Sequence, residues 1–435
     1  MRGIFETRSA RFGIGGLGLL KENHFYTLSQ LHTVVDNPNQ FSGIVFISLL
    51  TNPPYMSDYL NIADFLLPIN SHELNFDEGY KDGQVGNVIN IYNDEDDFPD
   101  LDDVQLVLVG CGEQRGSGLI HGQSKAADII RRHFYALHYW HNDVKLADIG
   151  NIKTGSLYTD SYAALKTVVR ELINDGKTVV ILGGSHDLTL TQYNAYADDK
   201  KIIEGSCVDA LIDLNISSSF RHENFLMEML TGEPNYMRHY NHIAFQSYYV
   251  HPKMLETMDK LRFDCFRVGH VKENIEEMEP VLRNSNFLSF DVSAIANSYA
   301  PANTLSPNGL SGEEACTLMR FAGMSPNISS VGVYGYDPLL DKEEMTAKQI
   351  SHMLWYLLDG RSRGKREAAL DEKDSFNEYH MAFAEVDTIF LQSKKTGRWW
   401  MQLPDKNFIA CSYKDYLLAS SNEIPERWLR AQERG

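Results

Sequence analysis

The sequence predicts an α/β fold built on a mostly parallel sheet. Two patterns predict it: short apolar runs alternate with helix-length amphipathic stretches, and three of those runs end in groups that bind cations. In Thr178-Val179-Val180-Ile181-Leu182 every residue is β-branched or aliphatic, which suits a strand covered on both faces. A glycine pair then turns the chain into Ser185-His186-Asp187. The other two runs are Cys207-Val208-Asp209-Ala210-Leu211-Ile212-Asp213 and Phe287-Leu288-Ser289-Phe290-Asp291-Val292-Ser293. Ligands of open α/β sheets bind outside the carboxyl ends of neighbouring strands. His186, Asp209, Asp213 and Asp291 are therefore expected to converge.

Taken in order, residues 1–99 read as an α/β addition, with a strand at Gly43–Leu50 and a turn at Asn52-Pro53-Pro54. The Gly-broken apolar run Ile14–Leu20 is a poor secretory core, and Glu6 disfavours a transit peptide. Asn93–Asp103 is an acidic, solvated boundary in which Pro99 forbids a continuous helix. It lacks the glycine and the ligand spacing of a calcium loop.

A core at 100–360 follows. A strand is expected at Val104–Val109, helices at Ser124–Ala136 and Ser161–Asp175, and the strand Thr178–Leu182 with a helix after His186. Val208–Ile212 reads as a further strand, followed by the segment Leu261–Val268, an acidic helix at Glu273–Leu282 and a strand at Phe287–Val292. Such alternation indicates βαβ units with right-handed crossovers. Residues 361–435 read as a C-terminal addition. It opens with a charged linker, Gly360–Glu367, and contains a hairpin of Asp387–Leu391 and Arg398–Leu403 joined through Lys394–Gly397. Strand alternation puts the indoles of Trp399 and Trp400 on opposite faces.

Composition narrows the function. With 40 basic against 59 acidic residues the net charge is −19, which argues against nucleic-acid and anionic-membrane surfaces. No stretch approaches the ~20 apolar residues that span a bilayer. The five cysteines are odd in number and scattered, as suits free thiols in a reducing compartment, so a cytoplasmic location is expected. Gly110-Cys111-Gly112 lacks the third glycine and the distant acid of a dinucleotide site. Neither a phosphate-binding lysine loop nor a Gly-x-Ser-x-Gly elbow is present.

The three strand ends resemble those of the ureohydrolases, the family of arginases, agmatinases and formimidoylglutamases. Gly183-Gly184-Ser185-His186-Asp187 resembles their first metal tip. Asp209-Ala210-Leu211-Ile212-Asp213 resembles Asp-Ala-His-x-Asp, and Ser289–Ser293 resembles Ser-x-Asp-x-Asp. Pro307–Glu314 is similar to the Pro-x-Gly-Gly-Leu-Ser-x-x-Glu element, and Arg115–Ile130 to the entry segment. The resemblance covers about 100–360 and implies an arginase-like, three-layer α/β/α fold with N- and C-terminal additions. Formimidoylglutamases are the nearest in character.

The resemblance also implies a first manganese ion held by His186, Asp209, Asp213 and Asp291. The second ion would need a His and an Asp where this chain has Leu211 and Ser293. Leucine offers no lone pair and a serine hydroxyl is a weak ligand for Mn2+, so at most one Mn2+ is expected. Gly335 stands where the family carries the Glu that binds the substrate's guanidinium. His222 is the candidate counterpart of the family's catalytic loop histidine. The expected activity is hydrolysis of a linear amidine or guanidine, or descent from it with little or none retained. The alternatives are a single-metal formimidoylglutamase-like hydrolase and a binding or scaffold protein on the same fold. A homo-oligomer is expected.

Overall fold

Thr178–Leu182 is a strand over its expected length, and all five residues are buried. The computed structural model describes residues 60–70, 74–75, 79–119, 124–383 and 386–434. The strand expected at Gly43–Leu50 and the turn after it lie outside the described residues.

The strands, in chain order, are β1 (Leu66–Leu67), β2 (Asn90–Ile91), β3 (Leu106–Gly110), β4 (Leu146–Ile152), β5 (Thr178–Leu182), β6 (Ile203–Val208) and β7 (Met237–Phe245). They continue with β8 (Asp264–Arg267), β9 (Phe287–Asp291) and β10 (Ser330–Tyr334). These form one sheet in the order β1-β4-β3-β5-β10-β9-β6-β7-β8, with β2 also on β4. Every pairing is parallel except that of β1 with β4.

Alternate residues build the two helical layers. Val180 and Leu182 join one core with the helices Ala126–Tyr135, Gly312–Met324 and Met345–Gly364. Val179 and Ile181 join another with the helix Tyr158–Asn174. The chain is thus α/β/α, as expected, and strand alternation on a doubly covered sheet is the cause.

Three expected elements differ. The strand placed at Val208–Ile212 ends at Val208, because the Asp209 carboxylate takes the Leu211 N–H (3.1 Å) and turns the chain out of the ladder. The acidic helix placed at Glu273–Leu282 is broken at Asn274, whose φ of −136° ends one helix before Met278–Asn284 begins another. The linker placed at Gly360–Glu367 instead completes the long helix as far as Gly364, with Gly360 and Ser362 buried.

A second sheet follows, β11 (Phe376–Phe383), β12 (Val386–Ser393), β13 (Trp399–Gln402) and β14 (Phe408–Cys411), antiparallel throughout. Trp399 and Trp400 enter different apolar clusters on its two faces. Arg283 fastens it to the core: this buried guanidinium bonds Glu279 (2.7 Å) and Trp399 O (2.9 Å) and lies 4.4 Å from the Trp400 ring centre. The sheet faces the starting ends of β6, β7 and β8, where a cavity of about 580 Å³ is lined by Glu204, Arg238 and Asp264 from those ends and by Leu403 and Asp405–Ile409.

Candidate metal centre

The strand order brings the three tips together. β5, β10, β9 and β6 are consecutive neighbours, so the ends carrying His186, Asp291 and Asp209 lie along one edge of the sheet, with β10 between the first two. Gly184 leaves β5 at φ +87°, and a Cβ there would stand 2.3 Å from Leu188. The residue type is therefore dictated where the chain swings His186 into place.

His186 Nδ1 lies 2.9 Å from Asp213 Oδ2, 3.4 Å from Asp209 Oδ2 and 3.8 Å from Asp291 Oδ2. All four residues are buried. The expected convergence of these four side chains is what the structure contains. The opposite side of the imidazole, Nε2, faces Ser289 Oγ at 3.0 Å and Cys207 Sγ at 3.5 Å.

The second oxygens of the acids are spent differently. Asp209 Oδ1 accepts from Ser293 Oγ (2.6 Å) and from the Leu211 N–H (3.1 Å), while Asp291 Oδ1 accepts from the Ser293 N–H (2.8 Å). Ser293 therefore bonds both acids at once.

Charge is scarce in this cluster. Among the described residues no Lys or Arg pairs with Asp209, Asp213 or Asp291; His186 does. Burial pushes Asp213 well above the usual carboxylate range, and the neighbouring Asp209 charge adds to it. Burial likewise raises Asp291. For Asp209 burial is outweighed by the His186 hydrogen bond and charge, which hold it at about 2. Burial alone would lower His186, but Cys207, Asp291 and the bonds to Asp209 and Asp213 hold it well above an ordinary histidine. Buried carboxylates this close cannot all ionise without a cation.

One imidazole and three carboxylates are donors of the kind that suit a hard divalent ion. Adjacent ligands of an octahedral ion with bonds of about 2.0–2.6 Å lie roughly 2.8–3.7 Å apart, and His186 Nδ1 stands 2.9–3.8 Å from one oxygen of each acid. Leu211 and Ser293, at the positions where the resemblance implies a His and an Asp, carry neither imidazole nor carboxylate.

The bonds of His222 go to other groups than the cluster acids. Its Nδ1 is 3.3 Å from Gly116 O, and its ring lies beside Phe220 and near Glu223. Gly335, at the end of β10, has φ +76°, and a Cβ there would lie 2.4 Å from Asp291 Oδ2. Without shifting Asp291, no Cβ fits at this position.

Sequence reasoning missed Ser289 and Cys207 as neighbours of His186. Their signal was alternation: each lies two residues before an acid of the cluster, hence on the same face of its strand.

The Arginase family model matches residues 104–359. The chain belongs to the arginase family. Formimidoylglutamase from Bacillus subtilis (strain 168) is 28% identical over 213 residues, which are 46% of this chain and 57% of that relative. The matched stretch thus spans little more than half of the relative's length. Among solved structures, Trypanosoma cruzi formiminoglutamase with Mn2+ superposes with a TM-score of 0.55 at 19% identity, over 61% of this chain and 99% of that one. The Bacillus subtilis formimidoylglutamase structure gives 0.55 at 20% identity, over 61% and 90%. At these identities the superpositions show the shared arginase-family fold. Among the described residues no helix is long and apolar enough to cross a membrane.

Proposed function

We propose that this arginase-family protein binds a single Mn2+-like ion with His186, Asp209, Asp213 and Asp291, and has given up two-ion hydrolysis of guanidines and amidines. The hydrogen bond from Ser293 Oγ to Asp209 Oδ1 carries the reading. A hydroxyl donor there replaces the family's carboxylate acceptor and ties up the oxygen that a second ion would share.

A bound divalent ion supplies Lewis acidity and lowers the pKa of a coordinated water. The chain's own residues supply the rest. Ser289 orients the His186 ring through Nε2, and Leu211 N–H fixes the Asp209 carboxylate. At Gly335 there is no carboxylate to orient a guanidinium, so arginine and agmatine are poor substrates on this reading. Protein stripped with chelator and reloaded should carry at most one Mn2+ per chain and release little urea from either compound. Two tightly held ions, or urea release at rates typical of enzymes, would refute the reading.

A second reading is a one-ion amidine hydrolase, favoured by the intact His and Asp set and by the formimidoylglutamase relative. Formamide release from N-formimidoylglutamate with Mn2+ tests it. One bound ion without turnover would point to a binding protein on the arginase fold. The reading keeps a reducing, cytoplasmic setting for the five free thiols, and a homo-oligomer, which sizing in solution would reveal.

A further inference from the structure

The cavity of about 580 Å³ bounded by both sheets lies at the starting ends of β6, β7 and β8, away from the strand ends that carry the His186 cluster. Small-molecule sites occupy roughly 300–1,000 Å³ and favour seams between structural units. Here one part of the lining comes from the core and the other from the C-terminal addition, through Leu370, Leu403, Asp405–Ile409 and Arg427.

We propose that this cavity binds a free α-amino acid with an apolar side chain. The charge of the lining selects for a ligand that carries both signs and no net charge: Glu204, Asp264 and Asp405 face Arg238, Lys406 and Arg427, three acids against three bases. Most of these ions are already paired with one another, and what they leave over is also of both signs. Arg238 Nε and Nη2 both bond Glu204 Oε1, at 3.1 and 2.6 Å. Among the described residues Glu204 Oε2 accepts no hydrogen bond, and the Lys406 ammonium on the β13–β14 turn has no partner. The Asn284 amide gives its oxygen to the Ala410 N–H (3.4 Å) and keeps Nδ2 as a donor.

His239 adds an acceptor on the side of the strands. It is buried, and its Nε2 lies 3.0 Å from both Asn241 Oδ1 and Asp264 Oδ2. Those are acceptors, so Nε2 carries the proton and Nδ1 is a lone pair, which has no partner. The strand ends thus offer acceptors to an ammonium group, and Lys406 with Asn284 offers donors to a carboxylate. Val281, Leu403, Phe408 and Ile409 give a hydrocarbon side chain apolar wall to cover it.

The site shares no residue with the metal cluster, so its test is independent of the single-ion reading. Full-length protein is titrated calorimetrically with L-leucine as the probe, and one saturable site per chain is expected. Isocaproate, which lacks the ammonium, and isoamylamine, which lacks the carboxylate, should each bind at least ~tenfold more weakly, because each loses one charged, hydrogen-bonded end. Glu204→Gln should weaken L-leucine by a similar factor. Lys406→Gln should weaken it too, with the melting temperature of the free protein unchanged. Absence of saturable L-leucine binding overturns the inference. Analogues that bind as tightly as L-leucine also overturn it, as does either variant that keeps the parent's affinity. Lys406 is exposed, so its variant keeps the test decisive if Glu204→Gln folds poorly.

Discussion

Ser293 Oγ donates a 2.6 Å hydrogen bond to Asp209 Oδ1 while its own N–H bonds Asp291 Oδ1 at 2.8 Å. One residue thus clasps two acids that belong to different strand ends. Changing Ser293→Asp with Leu211→His replaces the clasp by two ligands. Without metal, the double variant should lose a few kcal/mol, about 2–4, from imperfectly paired polar groups near a buried acid. Added Mn2+ should recover that loss by mass action and raise the stoichiometry to two. Thermal melts with and without Mn2+, together with metal analysis, read both. A variant that is destabilised and still holds one ion would show that the tips no longer keep a two-ion geometry.

Substitution at Gly335 should fail as a repair. Gly335→Glu forces a left-handed backbone on a residue with Cβ and drives that atom to within 2.4 Å of Asp291 Oδ2. A loss of about 1–3 kcal/mol is expected, with weaker Mn2+ binding because Asp291 must move. Denaturant midpoints and Mn2+ titration check it. Gain of urea release from agmatine would contradict it.

Much of this site was legible in the sequence, and the reasons are local. A strand buried on both faces needs the unbroken run Val179–Leu182, and an acid or His just past such a strand is visible by position alone. β7 was not legible, because Arg238, His239, Asn241 and His242 interrupt its apolar pattern. Their buried members are accommodated by side-chain bonds, such as His239 to Asp264 (3.0 Å) and Tyr240 to His242 (3.1 Å), that only the folded sheet supplies. Cys207 read only as one of five free thiols. Alternation puts its sulfur on the face that carries Asp209, but β5 and β6 are separated in the sheet by β10 and β9, so its reach to His186 depends on the strand order.

Arg283 should be the costliest residue of the C-terminal junction to remove. Arg283→Ala leaves the buried Glu279 with the longer Arg398 contact at 3.5 Å and strips Trp400 of its cation. Breaking a buried pair from one side costs about 3–5 kcal/mol. A lower denaturant midpoint and faster proteolysis within 376–411 are expected. Proteolysis confined to other segments would argue against this junction.

Acid should loosen the same junction through Glu367. Burial alone would raise this carboxyl, but hydrogen bonds from Ser393, Thr396 and the Ala368 N–H, with Arg398 beside it, hold it below the usual range. Its folded pKa is thus depressed. The unfolded chain binds the extra proton first, so the stabilisation is present above the unfolded value of about 4.3 and is lost as the pH falls through the folded one. Melting temperature should drop in that window for the parent and less for Glu367→Gln. Parallel curves would remove Glu367 as the cause.

The small antiparallel sheet covers the ends at which β6, β7 and β8 begin, whereas the acids and His186 lie where the strands finish. A spectroscopic label on the exposed Lys406, in the β13–β14 turn, therefore has the thickness of the sheet between it and the His186 cluster. It can follow docking of the extension while ions are added or withdrawn at the far end. Each end of the molecule thus serves as an internal control for events at the other.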